Sequence, residues 1–218
     1  MNVIIAGSSG MVGNLVLDNC FNSDKIEEII TLVRKPSSVK PKNKTKEVVI
    51  ADFENYGTHD SIFQITDIAF FCIGVYTGQV SDEQFKKITV NYAVKFAAEM
   101  KRKSPNATLC LLSGVGADRT EKSKASFARY KGMAENQISD LGLKFHSFRP
   151  TYIYPVTARK EPNLMYRISK TLYPLIKLMG NNASIKSTEL ADAMFNVGVY
   201  GADKEILENK DILEQLNR

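Results

Sequence analysis

The side chains and backbone groups best suited to chemistry are three glycines and an arginine, each at the end of an apolar run. Gly7-Ser8-Ser9-Gly10-Met11-Val12-Gly13 follows Val3-Ile4-Ile5-Ala6 and opens a helical pattern. A strand that stops at glycine and resumes as a helix can cradle a pyrophosphate. Glycine lets the backbone turn sharply and approach a ligand, and the unpaired N–H groups of a helix start point at anionic oxygens. The spacing is Gly-x-x-Gly-x-x-Gly rather than Gly-x-Gly-x-x-Gly, and a merely tight turn is the competing use. In a dinucleotide-binding fold the end of the second strand meets the adenosine ribose, where a carboxylate selects NAD and an arginine accommodates the NADP 2′-phosphate. Here Leu32-Val33 runs into Arg34-Lys35, about 20 residues past the last glycine, with no carboxylate. A guanidinium grips a phosphate in two-pronged fashion and Lys35 adds a second charge, so NADP is preferred over NAD; an exposed basic strand end is the alternative. Asp52-Phe53 suits an adenine-edge contact, and Cys72-Ile73-Gly74 closes a strand beside the cofactor.

These residues need a sheet to hold them. Strand and helix patterns alternate along the chain, which predicts an α/β, doubly wound, mostly parallel Rossmann sheet with helices on both faces. Strands are expected at Val3–Ala6, Ile29–Val33, Val48–Ala51, Ile68–Ile73, Leu109–Leu112 and Phe145–Phe148. Ile68–Ile73 is apolar throughout, as a strand buried on both faces should be. Phe85, Ile88, Tyr92, Phe96 and Met100 recur at helical spacing, and helices are also expected over Tyr130–Leu141 and Glu189–Val199. Beyond Arg149-Pro150 the alternation breaks. Met165, Ile168, Leu172, Leu175, Ile176 and Met179 form a stripe flanked by Arg167, Lys170 and Lys177. Residues 151–187 are read as a substrate-side lid on a single domain spanning 1–218; a membrane-surface helix is the competing use of 163–180.

Composition sets bounds. With 218 residues, 44% hydrophobic and 24% charged, the chain has material for a sizeable core. No run approaches the roughly 18 apolar residues of a membrane span, and the first strand lacks a basic leader. Cys20, Cys72 and Cys110 lie far apart inside apolar patterns, as buried free thiols would, and a cytoplasmic protein is expected. Net charge is +5, with Lys35, Lys40, Lys42, Lys44 and Lys46 assigned to one loop, either solvated or a positive lip for a phosphorylated ligand. No nucleic-acid motif and no metal pattern is present; His59 and His146 are too far apart in pattern for a metal, and His146 reads as a core histidine. The expected partner is a small-molecule substrate or effector; membrane contact is disfavoured, and a second copy of the chain is allowed.

Four pieces in order carry a family resemblance: the glycine turn, Leu111-Leu112-Ser113-Gly114-Val115-Gly116-Ala117-Asp118, Tyr130-Lys131-Gly132-Met133-Ala134-Glu135, and Phe148-Arg149-Pro150. Together they resemble the atypical short-chain dehydrogenase/reductases, a single-domain Rossmann family. Glu205-Ile206-Leu207-Glu208-Asn209-Lys210 is similar to the Tat-interacting-protein-like oxidoreductase branch. The resemblance implies a Ser–Tyr–Lys site acting on a carbonyl or alcohol. The tyrosine passes a proton to the developing alkoxide, acidified by the neighbouring lysine. The lysine also holds the nicotinamide ribose, and the serine hydrogen-bonds the substrate oxygen. It implies Ser113 and Lys131 as catalytic residues, with Lys131 and Pro150 beside the cofactor.

The pattern departs at one point. Lys131 matches, but four residues earlier stands Phe127, which has no proton to give, and the second serine of a common pair is Gly114. Tyr130 points about 100° away from its neighbour and cannot simply stand in. Two readings follow: an NADP-dependent reductase with a relocated acid, drawn from Tyr76, Tyr152 or Tyr154, or an NADP(H)-binding regulatory or scaffold module without turnover. Asn91 and Lys95 could present polar groups toward the site or lie on an exposed helix face.

Overall fold

Alternating Val3/Ile5 and Ile4/Ala6 side chains decide the architecture, because each pair feeds a different face of one sheet. The computed structural model describes residues 1–36, 43–156 and 182–217. In chain order the elements are β1 (Asn2–Ala6), α1 (Met11–Asn22), β2 (Glu28–Val33), β3 (Thr45–Val49), β4 (Ile68–Phe71) and α2 (Asp82–Lys86). One π-helical turn, Lys87–Asn91, joins α2 to α3 (Tyr92–Lys103). There follow β5 (Thr108–Leu112), α4 (Ser126–Ser139), β6 (Lys144–Arg149), β7 (Tyr152–Tyr154), β8 (Ser184–Lys186), α5 (Ser187–Tyr200), β9 (Ile206–Glu208) and α6 (Asn209–Glu214).

The main sheet has seven strands in the order β3-β2-β1-β4-β5-β6-β9, paired in parallel throughout. Strand order reverses between β1 and β4, and in such sheets ligands bind in the crevice beyond the carboxyl ends of the strands at that point. One face packs Ile4, Leu32, Phe71 and Leu109 against Phe96 and Met100 of α3. The other packs Val3, Ile5 and Ile29 against Val16 of α1 and Leu190, Met194 and Val197 of α5. A smaller cluster of Phe85, Val90 and Tyr130, with Val75, Val80 and Phe127 against it, lies under the loop that follows β4.

Two expectations shift. The third strand runs Thr45–Val49 rather than Val48–Ala51, so Lys46 lies in a strand. Lys44 stays in the turn before β3, but its amine is tied down: Nζ donates to the carbonyls of Ser23 at 2.8 Å and Ile26 at 3.1 Å, closing the turn between α1 and β2. The segment read as a tail supplies β9, whose three residues are too few to show a period. β7 and β8 pair in parallel at the two ends of the expected lid; the 163–180 stripe lies outside the described residues.

The loop after β5 is clamped to α4. Asp118 N donates to Ala128 O at 2.9 Å and Arg119 Nε to Asn136 Oδ1 at 2.6 Å. Gly132 makes this possible: a Cβ there would lie 1.9 Å from Asp118 O. Gly132→Ala is expected to cost about 1–3 kcal/mol through overpacking, read as a lower urea midpoint at unchanged slope. An unchanged midpoint would mean that the loop does not need this close approach.

Candidate functional site

The glycine turn is built by close backbone approach. Gly7 has φ +90°, and a Cβ on it would fall 2.7 Å from the Cys72 carbonyl carbon, so β1 and β4 end in contact. A Cβ on Gly13 would lie 2.2 Å from Gly7 O, which lets the first turn of α1 sit directly on the loop. The N-cap of α1 is Gly10, with no side-chain cap and no acidic residue in the first turn. Its leading N–H groups therefore face the crevice unsatisfied by side chains, and the positive end of the helix dipole is unopposed. Ser8 is buried and Ser9 exposed. An uncapped helix start of this kind suits an anionic group. A Cβ on Gly74, just past β4, would meet nothing within 4 Å.

Around the turn, Arg34 and Lys35 are exposed beyond the end of β2, and neither has an ion pair among the described residues. Asp52 is exposed beyond β3 and lies 3.8 Å from Lys87 Nζ. Phe53 is 1% exposed, its ring packed against Tyr56 and Tyr92, so only its backbone can meet a ligand. Lys87 also pairs with Glu54 at 2.6 Å, and Asn91 Nδ2 donates to the same carboxylate at 2.7 Å. Those hydrogen bonds lower the Glu54 pKa. The π-helical turn thus supplies both Lys87 and Asn91 to Glu54, while Lys95 pairs with Glu99 at 3.1 Å. Cys72 and Ile73 are half-buried, and burial pushes the Cys72 thiol up to about 12, leaving it protonated at neutral pH.

The substrate side differs from expectation at Ser113. Its hydroxyl turns inward and donates to Glu135 Oε1 at 2.7 Å. Glu135 has no exposed surface; it also accepts from Ser147 Oγ at 2.7 Å and from Arg149 Nε at 3.0 Å, and Arg149 Nη2 donates to its other oxygen. The position that faces residue 127 is Gly114, where a Cβ would lie 2.6 Å from Phe127 Cζ. The phenyl ring therefore fills the place of a side chain at 114. Tyr130 is buried and its hydroxyl donates to Asp82 Oδ2 at 2.5 Å, with Ser126 Oγ on the other oxygen at 2.5 Å. Lys131 Nζ donates to Leu112 O at 2.9 Å, and burial lowers its pKa to about 8 against an upward pull from Glu135. Pro150 is buried and its carbonyl accepts from Val115 N at 3.0 Å. Tyr76 lies in the loop after β4, and Tyr152 and Tyr154 in β7, all half-buried.

His146 is a core residue, with Nδ1 2.8 Å from Lys204 O. A separate cleft of about 250 Å³ between α1 and α5, lined by Asn19, Asn22, Asp192 and Asn196, lies at the far end of α1 from the glycine turn. Sequence reasoning assigned no role to Glu135, Arg149 or Asp82. The i, i+4 spacing of Lys131 and Glu135 is the only sequence signal that sets Glu135 on the site's side of α4.

This sheet, with its glycine turn at the switch point, is the fold of the NAD(P)-dependent reductases and epimerases. Over 95% of this chain and 77% of theirs, it matches Gre2 in complex with NADPH from Candida albicans, with TM-score 0.70 and 13% identity. UDP-glucose 4-epimerase with UDP-glucose from Thermotoga maritima matches over 100% and 82%, with TM-score 0.68 and 14% identity. WbmF in complex with NAD+ from Bordetella bronchiseptica matches over 99% and 76%, with TM-score 0.68 and 12% identity. In sequence, the chain is 26% identical over 146 residues to the protein fmp52, mitochondrial, of Aspergillus niger, a stretch covering 65% of this chain and 61% of that relative. No family model matches the chain. Among the described residues, no helix is long and apolar enough to cross a membrane.

Glu135→Ala is expected to destabilise the protein by about 3–5 kcal/mol, because it leaves Arg149 charged, largely buried and short of its partner. Ser147→Ala, which removes one neutral donor and keeps the ion pair, is expected to cost about 1 kcal/mol. Equal losses in chemical denaturation would refute the ion-pair account.

Proposed function

We propose that this chain binds NADP(H) across the carboxyl ends of β1, β2 and β4 and acts as a short-chain-type oxidoreductase on a small carbonyl or alcohol. The observation that carries the reading is the cradle at Gly7–Gly13, an uncapped helix start pressed against the end of β4. In this reading Ser8, Ser9, Met11 and Val12 contribute backbone N–H groups, and the exposed Arg34 and Lys35 grip the 2′-phosphate. Asp52 meets the adenine edge; Cys72, Ile73 and Gly74 line the nucleotide; and Lys131 and Pro150 flank the nicotinamide ribose. Bound NADPH would supply a hydride. The chain's own part is to orient the two reactants and handle the proton. The free thiols Cys20, Cys72 and Cys110 suit a reducing compartment, and we assign the protein to the cytoplasm.

A second reading rests on Ser113, Gly114 and Phe127. Phe127 stands where the family tyrosine would be, its ring lies over Gly114 in place of the second serine, and Ser113 is turned to Glu135, which together favour an NADP(H)-binding module that responds to its ligand without turnover. The likeness of residues 205–210 to the Tat-interacting-protein-like branch is compatible with either reading.

Direct titration separates cofactors. NADPH is expected to bind at least tenfold more tightly than NADH, and Arg34→Ala to erase most of that ratio, as loss of a charge-assisted contact of about 1.5–3 kcal/mol requires. Equal affinities in the wild type would dispose of the 2′-phosphate assignment. On a broad carbonyl panel, NADPH consumption abolished by Lys131→Ala supports the oxidoreductase. Silence in the wild type, with turnover appearing in Phe127→Tyr, supports the module.

A further inference from the structure

The oxidoreductase reading, which any role for Lys131 in proton transfer presupposes, requires a group that delivers a proton to the alkoxide, and the family tyrosine is absent. Two hydroxyls of the motif are already spent. Ser113 is turned into the protein by Glu135, and Tyr130 is held by Asp82. Phe127 offers only its ring, seated on Gly114. Lys131 is different. It stands one helical turn after Phe127 on the same face of α4, and its Nζ spends one N–H on Leu112 O, with no further partner among the described residues. An ammonium has three N–H donors, so two remain to serve the crevice.

We propose that Lys131 is itself the general acid of this site, in the place of the missing tyrosine. In the reductive direction the carbonyl carbon accepts a hydride from NADPH, which becomes NADP+, and the C=O π pair moves onto oxygen. One Nζ–H bond of Lys131 breaks, its proton joins that oxygen, and the products are an alcohol and a neutral amine. A proton from water restores the ammonium. In the oxidative direction the neutral amine takes the alcohol proton as the hydride leaves.

The surroundings suit the role. Among the described residues, two titratable groups act on Lys131: Glu135, one turn further along α4, and Cys72, at the end of β4. Cys72 stays a neutral thiol, and the Glu135 charge is shared with Arg149. Burial therefore prevails and brings the ammonium down to about 8. An acid works best with a pKa near the operating pH. Burial thus does for this lysine what a neighbouring cation does for the family tyrosine.

The test compares Lys131→Arg with the wild type. Arginine keeps the positive charge for cofactor binding but releases no proton at any working pH. NADPH affinity is expected to stay within a few-fold, which also reports a folded variant, while kcat falls by about 100-fold or more. In the wild type kcat/KM for reduction should fall as pH rises through about 8. In the cofactor-free protein the 13C-methylated Lys131 signal should titrate in the same range. Turnover surviving in Lys131→Arg, a Lys131 signal that titrates only above pH 10, or a carbonyl panel silent at every pH overturns the proposal. Failure of the wild type to bind NADPH instead overturns the reading beneath it, and direct titration registers that separately.

Discussion

A carboxylate with no exposed surface organises the carboxyl ends of β5, β6 and β9. Glu135 accepts from Ser113 at the end of β5 and from Ser147 and Arg149 on β6, and Arg149 reaches on to Glu208 at the end of β9 with a bond of 2.9 Å. One side chain of α4 thereby fixes the relative positions of three strand ends. The loops that leave those ends inherit the constraint, and Val115 N and Pro150 O join two of them directly. Such a charge is tolerable in the interior because every contact to it comes from a donor, one of them a guanidinium.

That constraint explains why the two halves of the crevice behave so differently. Where a nucleotide is expected, Arg34 and Lys35 are exposed without an ion pair among the described residues, the start of α1 lacks a side-chain cap, and Gly74 has open space above it. On the substrate side, hydroxyls are drawn inward to carboxylates, and an aromatic ring rests against a glycine backbone. Gly114 and Phe127 are two departures with one physical content, since the ring occupies the space that a larger residue at 114 would need. The lysine on this wall donates its amine to the strand-end carbonyl of Leu112.

The π-helical turn between α2 and α3 has a similar local logic. It brings Lys87 and Asn91 onto Glu54 together and leaves Asp52 with a long, 3.8 Å contact to the same lysine. π-Turns recur at functional sites, and this one borders the expected adenine edge.

Much of the fold was legible in the chain, because strand-helix alternation and hydrophobic period depend on near neighbours. The six longer strands, the glycine turn and the basic end of β2 all follow from such local patterns. The start of β3 was misplaced because Thr45-Lys46-Glu47 carries little apolar signal on an edge strand, and β9 was missed because three residues have no period. Side-chain partnerships were not legible. Ser113 reads as a site hydroxyl until Glu135 is seen beneath it, and the Lys44 amine reads as solvated or free for a ligand until the carbonyls of Ser23 and Ile26 are found at its end. By itself the sequence determined which backbone turns and which faces are apolar. Only tertiary structure decided which polar groups remain available for chemistry. A hydrogen bond depends on ångström distances between residues 20 or more positions apart, and no local pattern encodes that distance.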